Sequence, residues 1–136
     1  MNKMKTLSAI PIREPWIDMI LDGEKTWEIR SKFTKKIGPV GLIRSKSGTV
    51  VGTAILAEVI QLTAKMAYEK FALMGFDPLT RKEAKEMEGM YAWVLKDVVK
   101  FKKPVPYKHP YGAVTWVTLD EATSNNVLAE AKRSNK

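Results

Sequence analysis

The feature that most constrains the fold is a pair of neighbouring strand patterns, each with a glycine inside it: VGLIRS and TVVGTAILAEVIQL. Their content of β-branched and aliphatic residues favours strands. The intervening SKSG has the composition of a tight turn. Gly41 and Gly52 indicate bulges or a close approach of two backbones, as at the corners of a small barrel. The sequence therefore predicts two strands that bend.

Further strand and helix patterns surround this pair. Strands are predicted in TLSAIPI, KTWEIR, YAWVLKDVVKF and AVTWVTL. Helices are predicted in WIDMILDG, in residues 63–74 with Thr63 as N-cap and Gly75 as stop, and in DPLTRKEAKEMEGM with Thr80 and Glu83 as a capping box. The proline-rich KKPVPYKHPYG is predicted to be a loop.

This order predicts an α+β fold: a small mixed β-barrel of about six strands, with two to three helices covering its ends. The chain of 136 residues is of a length typical of one domain with its own core. We place that domain in residues 1–120. Residues 121–136 form a C-terminal tail, either a frayed helix or a loose segment.

The positive charge is concentrated in two blocks. The net charge is +8, and residues 25–46 hold seven basic residues against one acid, while residues 96–108 hold five against one. If the fold joins the blocks, they form a patch suited to phosphate backbones. The alternative is an ordinary solvated basic surface.

Several classes of protein are disfavoured by the sequence. There is no cysteine, which excludes disulfides and thiolate zinc sites and fits a reducing, cytoplasmic location. No stretch approaches the ~20 apolar residues of a membrane span, and the N-terminal segment is too charged for a signal peptide. No His or Asp cluster has the spacing of metal ligands. We therefore expect no metal, no cofactor and no membrane partner.

One predicted strand, KTWEIR, has a densely charged face. Alternation directs Trp27 and Ile29 to the core and places Thr26, Glu28 and Arg30 on the opposite side. By the same alternation, Lys25 lies on the side away from Glu28. These charges either line a site or form a surface network worth only ~0–1 kcal/mol per exposed pair.

The stretch PWIDMILDGEKTWEIRSK resembles the signature of ASCH domains, in which a helix is followed by glycine, lysine, and then glutamate and arginine on a strand. The matching residues are Gly23, Lys25, Glu28 and Arg30, with Pro15 and Trp16 heading the helix. The resemblance extends over residues 6–119. It implies a PUA-like barrel with a cleft between the first helix and the polar face of the strand. It also implies RNA binding or a role in RNA processing.

The resemblance, the first basic block and the loop around Tyr111 together suggest a set of residues that bind nucleic acid. Lys25 would hold a phosphate, Glu28 would accept from the exocyclic amine of a base, and Arg30 would hold a phosphate or neutralise Glu28. Trp16 either stacks on a base or belongs to the core. The full set comprises Lys25, Glu28, Arg30, Trp16, Lys32, Arg44, Lys46 and Tyr111. Lys46, at the predicted hairpin tip, either touches a phosphate or is part of a plain turn.

The alternative function is a small hydrolase, because some relatives of this type are amidohydrolases of N4-acetylcytidine and others are ribonucleases. Lys25 and Glu28 would transfer protons without a metal, with Thr26 as the attacking hydroxyl. The amidohydrolase type has a threonine three residues after the lysine, where this chain has Glu28. That activity is therefore not carried over. A third alternative is an interaction module that contacts other RNA-processing proteins through the charged helix at residues 80–88.

Overall fold

The computed structural model describes residues 6–135. Within this range, strands and helices follow in the order β1 Ser8–Ile12, α1 Trp16–Leu21, β2 Trp27–Arg30, β3 Gly38–Arg44, β4 Thr49–Gln61, α2 Ala64–Glu69, a 3₁₀ turn Phe71–Met74, α3 Arg81–Glu86, β5 Tyr91–Pro106, β6 Val117–Thr118 and α4 Glu121–Ser134. None of these helices is both long enough and apolar enough to cross a bilayer.

The six strands form one curled sheet in the order β2-β5-β4-β3-β1-β6. The β1–β3 pair is parallel and the other pairs are antiparallel. The long β4–β5 pair shifts register three times, and one shift falls beside Gly52. A Cβ atom at Gly52 would lie 2.6 Å from the carbonyl oxygen of Val99, so the backbones approach closely there. The predicted α+β fold with six strands is confirmed. Within residues 6–135 the sheet is a curled half-barrel and there are four α-helices, where two to three were expected.

Local signals in the sequence placed the middle helices correctly. The Thr63 hydroxyl accepts from the backbone N–H of Met66 at the start of α2. Thr80 and Glu83 form the predicted capping box at the start of α3. Gly75 adopts the left-handed conformation after the 3₁₀ turn, with φ of 82°. The predicted helix 63–74 is, however, split into α2 and this turn.

The prediction of a loop over KKPVPYKHPYG was wrong in its first half, because β5 continues to Pro106. Strand β2 pairs only with residues 91–94 of β5, so the later part of β5 is an edge, where proline is tolerated. Helix α4 covers this edge: the backbone N–H groups of Lys102 and Lys103 donate to Ser134 Oγ and Glu130 Oε2. The predicted closing strand AVTWVTL is much shorter than expected, since β6 contains only two residues.

The last described segment, α4, is a regular helix. Asp120 caps it by accepting from the backbone N–H of Thr123. Val127 is fully buried in a core cluster with Phe101 and Val105 of β5. These contacts describe a docked helix and not a loose tail. The domain boundary at residue 120 stays a prediction.

The core consists of three buried clusters that position the elements around β2. Ile17 and Ile20 attach α1 to the sheet. Trp27 and Ile29 face a second cluster under α2 and α3, as the alternation predicted. The opposite face of β2 is therefore directed toward α1 and β1.

Candidate functional site

A cavity of about 420 Å³ lies between the start of α1 and the polar face of β2. It occupies the place where the sequence resemblance implied a cleft. The residues that line it come from three elements and three connecting segments: Pro11, Arg13, Trp16, Glu28, Ile29, Arg30, Ser45 and Val114. Its volume is in the range of ~300–1,000 Å³ typical of small-molecule sites.

The polar floor of the cavity is an ion pair on β2. Arg30 Nε donates to Glu28 Oε2 at 2.9 Å, and the Glu28 side chain is only 8% exposed. Arg30 Nη2 donates to the Pro11 carbonyl at 2.7 Å, and the guanidinium lies 5.5 Å from the centroid of the Trp93 ring. The pair is therefore held in one geometry by contacts on three sides.

Lys25 lies behind this floor and is almost completely buried, at 2% exposure. Its Nζ donates to the carbonyls of Trp27 and Met74 at 2.8 and 2.7 Å. It also lies 3.7 Å from Glu28 Oε1 and over the rings of Trp16 and Phe76. Burial lowers the pKa of Lys25, and the nearby Glu28 carboxylate partly opposes that effect.

The prediction that Lys25 lies on the side away from Glu28 was wrong. Strand β2 begins at Trp27, so the alternation does not extend back to Lys25. The preceding turn instead directs its side chain beneath Glu28. Lys25 does not line the cavity, and neither does Thr26, the proposed attacking hydroxyl. The backbone of Thr26 bonds to Leu73 and Leu95.

The other predicted basic residues lie outside this cavity. Arg44 forms two hydrogen bonds with Asp18 and one with Glu14. The bond from Arg44 lowers the pKa of Asp18, and the same bond raises the pKa of Arg44. The Lys32 side chain is exposed, while its carbonyl accepts from Trp93 Nε1.

The remaining two predicted residues lie in neighbouring concavities. Lys46, at the hairpin tip with φ of 68°, lines a second cavity beside the first. Tyr111 is fully exposed in the loop after β5 and lines a third. The structure thus brings together Trp16, Glu28 and Arg30, with Lys25 behind them.

Four residues around the cavity were missed by the sequence reasoning: Pro11, Arg13, Phe76 and Val114. Arg13 is an exposed cation three residues before Trp16, so its position in the sequence could have identified it as a candidate for the same site. Phe76 packs edge-on against Trp16 with 5.1 Å between ring centroids. No pattern linked Phe76 or Val114 to β2, because their contacts are distant in the chain. Within residues 6–135, no group of His, Cys, Asp and Glu side chains could hold a metal ion.

Comparison with known proteins identifies the family. The ASCH domain model matches residues 10–105. The fold is similar to that of ASCH from Zymomonas mobilis, with a TM-score of 0.65 and 14% identity, over 92% of this chain and 95% of that one. A serine-to-alanine mutant of ZmASCH from the same organism gives a TM-score of 0.65 and 16% identity over 90% and 94% of the two chains. A tyrosine-to-phenylalanine mutant of ZmASCH gives a TM-score of 0.63 and 15% identity, over 90% of this chain and 96% of that one. No curated protein gives a match.

Proposed function

Because the chain belongs to the ASCH domain family, we propose that it binds RNA by taking one nucleotide into the cavity between α1 and β2. The observation that carries the proposal is the nearly buried Glu28 carboxylate on the floor of a cavity of about 420 Å³. A carboxylate held in this way is an acceptor for the amino group of a base.

Glu28 retains acceptor capacity for a ligand. Each carboxylate oxygen can accept two hydrogen bonds, and Oε2 accepts one from Arg30. A base with an exocyclic amine, such as cytosine, can donate to the remaining lone pairs, and a contact of this kind discriminates between bases by ~1–3 kcal/mol. Uracil has no exocyclic amine and should bind less tightly.

Trp16 and Arg13 supply the other two contacts that a nucleotide needs. Trp16 is half-buried and lines the cavity, so its ring can stack on a base, a contact worth ~1–3 kcal/mol. Arg13 is exposed at the rim and can hold a phosphate bidentately. The cavity therefore offers an acceptor, an aromatic surface and a cation to a single ligand.

The test is fluorescence anisotropy with labelled oligocytidine and oligouridine. We expect oligocytidine to bind about 5- to 150-fold more tightly, the equivalent of ~1–3 kcal/mol. Glu28→Gln should reduce this difference, because an amide can donate to uracil as well as accept from cytosine. Arg13→Gln should weaken both complexes.

Arg81→Gln is the matched control, since Arg81 is an exposed arginine on α3 that does not line the cavity. The proposal is wrong if Glu28→Gln keeps the native melting temperature and leaves both affinities unchanged. It is equally wrong if Arg13→Gln and Arg81→Gln have the same effect on affinity.

A second candidate function, a metal-independent hydrolase, is favoured by one observation: Lys25 is almost completely buried, and this burial lowers its pKa. A neutral lysine is a general base. However, two backbone carbonyls and Glu28 already surround its Nζ. Incubation with RNA in EDTA, and separately with N4-acetylcytidine, tests turnover. Product formation above that of a Glu28→Gln control would establish an enzyme.

Two further assignments accompany the proposal. The absence of cysteine supports a reducing, cytoplasmic location. The charged α3 is the surface on which other RNA-processing proteins would dock. A pull-down with and without ribonuclease separates such a protein contact from bridging RNA.

A further inference from the structure

A second cavity, of about 440 Å³, adjoins the first and shares three of its wall residues, Pro11, Ser45 and Val114. Its own lining includes Lys46, Tyr107 and His109. The two cavities are thus neighbouring compartments of one groove. Glu28 is the only acidic residue that lines either compartment within the described part of the chain.

The walls of the second cavity are held by hydrogen bonds between separate segments. Thr49 pairs with Pro106, and the backbone N–H of Tyr107 donates to the Gly48 carbonyl at 3.0 Å. These contacts fix the hairpin tip that carries Lys46 against the loop after β5. Within that loop, the two ring nitrogens of His109 bond to Tyr107 Oη and to the Ala113 carbonyl, each at 2.8 Å. The compartment is therefore formed before any ligand binds.

The chemistry of the second cavity suits another nucleotide. Lys46 is an exposed cation at a turn, where its ammonium group is available to a phosphate. Tyr107 and His109 present two rings packed edge to face, with centroids 5.8 Å apart. Bases stack on such rings with little regard to sequence. A cation beside aromatic rings is the usual combination in single-strand binding grooves.

We propose that the second cavity binds the nucleotide next to the one held over Glu28, so that the ligand is single-stranded polynucleotide and not a free nucleoside. Lys46 contacts the phosphate of this second nucleotide, and its base lies against Tyr107 and His109. This inference rests on the proposed function of the first cavity. It adds a second binding site and the substrate class.

The experiment measures two affinities for each variant: that of cytidine 5′-monophosphate by calorimetry, and that of labelled oligocytidine of about ten nucleotides, a length within the span of single-strand binding folds. The variants are Lys46→Gln, Lys46→Glu and Glu28→Gln, with Lys85→Gln on α3 as the control for loss of one positive charge. We expect Lys46→Gln to lower the affinity for oligocytidine about tenfold at low salt and to leave the affinity for the mononucleotide unchanged. Lys46→Glu should lower the affinity for oligocytidine further.

The salt dependence provides an independent readout. One lost phosphate contact should make the slope of log K against log salt about 0.7 less steep for a single strand. If Lys46→Gln leaves the slope and the oligocytidine affinity unchanged while Glu28→Gln weakens both ligands, the second site is refuted and the first stands. If Lys46→Gln weakens the mononucleotide as much as oligocytidine, the two-compartment arrangement is also refuted. If Glu28→Gln affects neither ligand, the proposed function itself fails.

Discussion

Lys25 is predicted to stabilise the fold around the cavity and not to contact the ligand, and the substitution Lys25→Met tests this. Methionine keeps the length and the apolar stem but removes the ammonium group. The variant loses hydrogen bonds to the carbonyls of Trp27 and Met74. Hydrogen bonds from charged donors contribute ~1.5–3 kcal/mol each, so the gross loss is ~3–6 kcal/mol.

Part of this loss is recovered. The buried charge disappears, and the methionine packs against Trp16 and Phe76, for which we estimate a gain of ~1.5–3 kcal/mol. We therefore expect a net destabilisation of ~1–3 kcal/mol. Urea unfolding followed by tryptophan fluorescence measures it. Lys85→Met, on the exposed face of α3, should stay within ~0.5 kcal/mol of the parent.

The pH dependence of stability, compared between the parent and Lys25→Met, isolates the effect of the Lys25 charge. Its pKa in the folded protein is lowered from 10.5 by burial. Between the folded value and 10.5 the unfolded chain therefore binds more protons, and the contribution of Lys25 to stability rises with pH. The difference in the free energy of unfolding between the parent and Lys25→Met should grow as the pH rises through this range.

Two results would contradict the reasoning about Lys25. One is a Lys25→Met protein as stable as the parent, which would mean that the two carbonyl contacts contribute no more than the methionine regains. The other is a folded Lys25→Met protein that loses most of its RNA affinity. That outcome would place the lysine in the ligand site, although it does not line the cavity.

The remaining predictions concern the rest of the fold. Hydrogen bonds from Ser134 and Arg133 lower the pKa of Glu130, so its contribution to stability is present above pH 4.5 and is lost as the pH falls through the folded value. The melting temperature of Glu130→Gln should therefore lie below that of the parent at pH 7, and the two should converge as the pH falls through the folded pKa of Glu130. Gly52→Ala should destabilise the protein by at least ~1–3 kcal/mol, since the new methyl group would lie 2.6 Å from the Val99 carbonyl oxygen. Urea titration measures this loss.

The parts of the fold that depend on neighbouring residues were predictable. The capping box of α3 is a contact between residues three apart, Thr80 and Glu83. The faces of Trp27 and Ile29 follow from the geometry of a single strand. Gly52 signalled a close approach without revealing its partner, because Val99 lies in another strand.

Several of the errors share one physical cause, which is that a deciding contact lies far along the chain. The side chain of Lys25 is fixed by the Met74 carbonyl, 49 residues later. The continuation of β5 through its prolines depends on how short β2 is and on the docking of α4. The pairing of Arg44 with Asp18, which removes it from the set of available cations, depends on how α1 packs beside β3. The cavity could be anticipated from the family resemblance, but the residues that line it could not all be identified.

The contact between Arg30 and the Pro11 carbonyl has a consequence for how such a site can change. Strands β2 and β1 are separated by three others in the sheet order, so no ladder of backbone hydrogen bonds joins them across the cavity. A ladder would fix strands at a spacing of about 4.8 Å. Here the guanidinium of Arg30 bridges the two strands through its hydrogen bond to the Pro11 carbonyl. Substitution of Arg30 can therefore widen or narrow the opening of the cavity, for a larger or smaller ligand, without a change in the pairing of the strands.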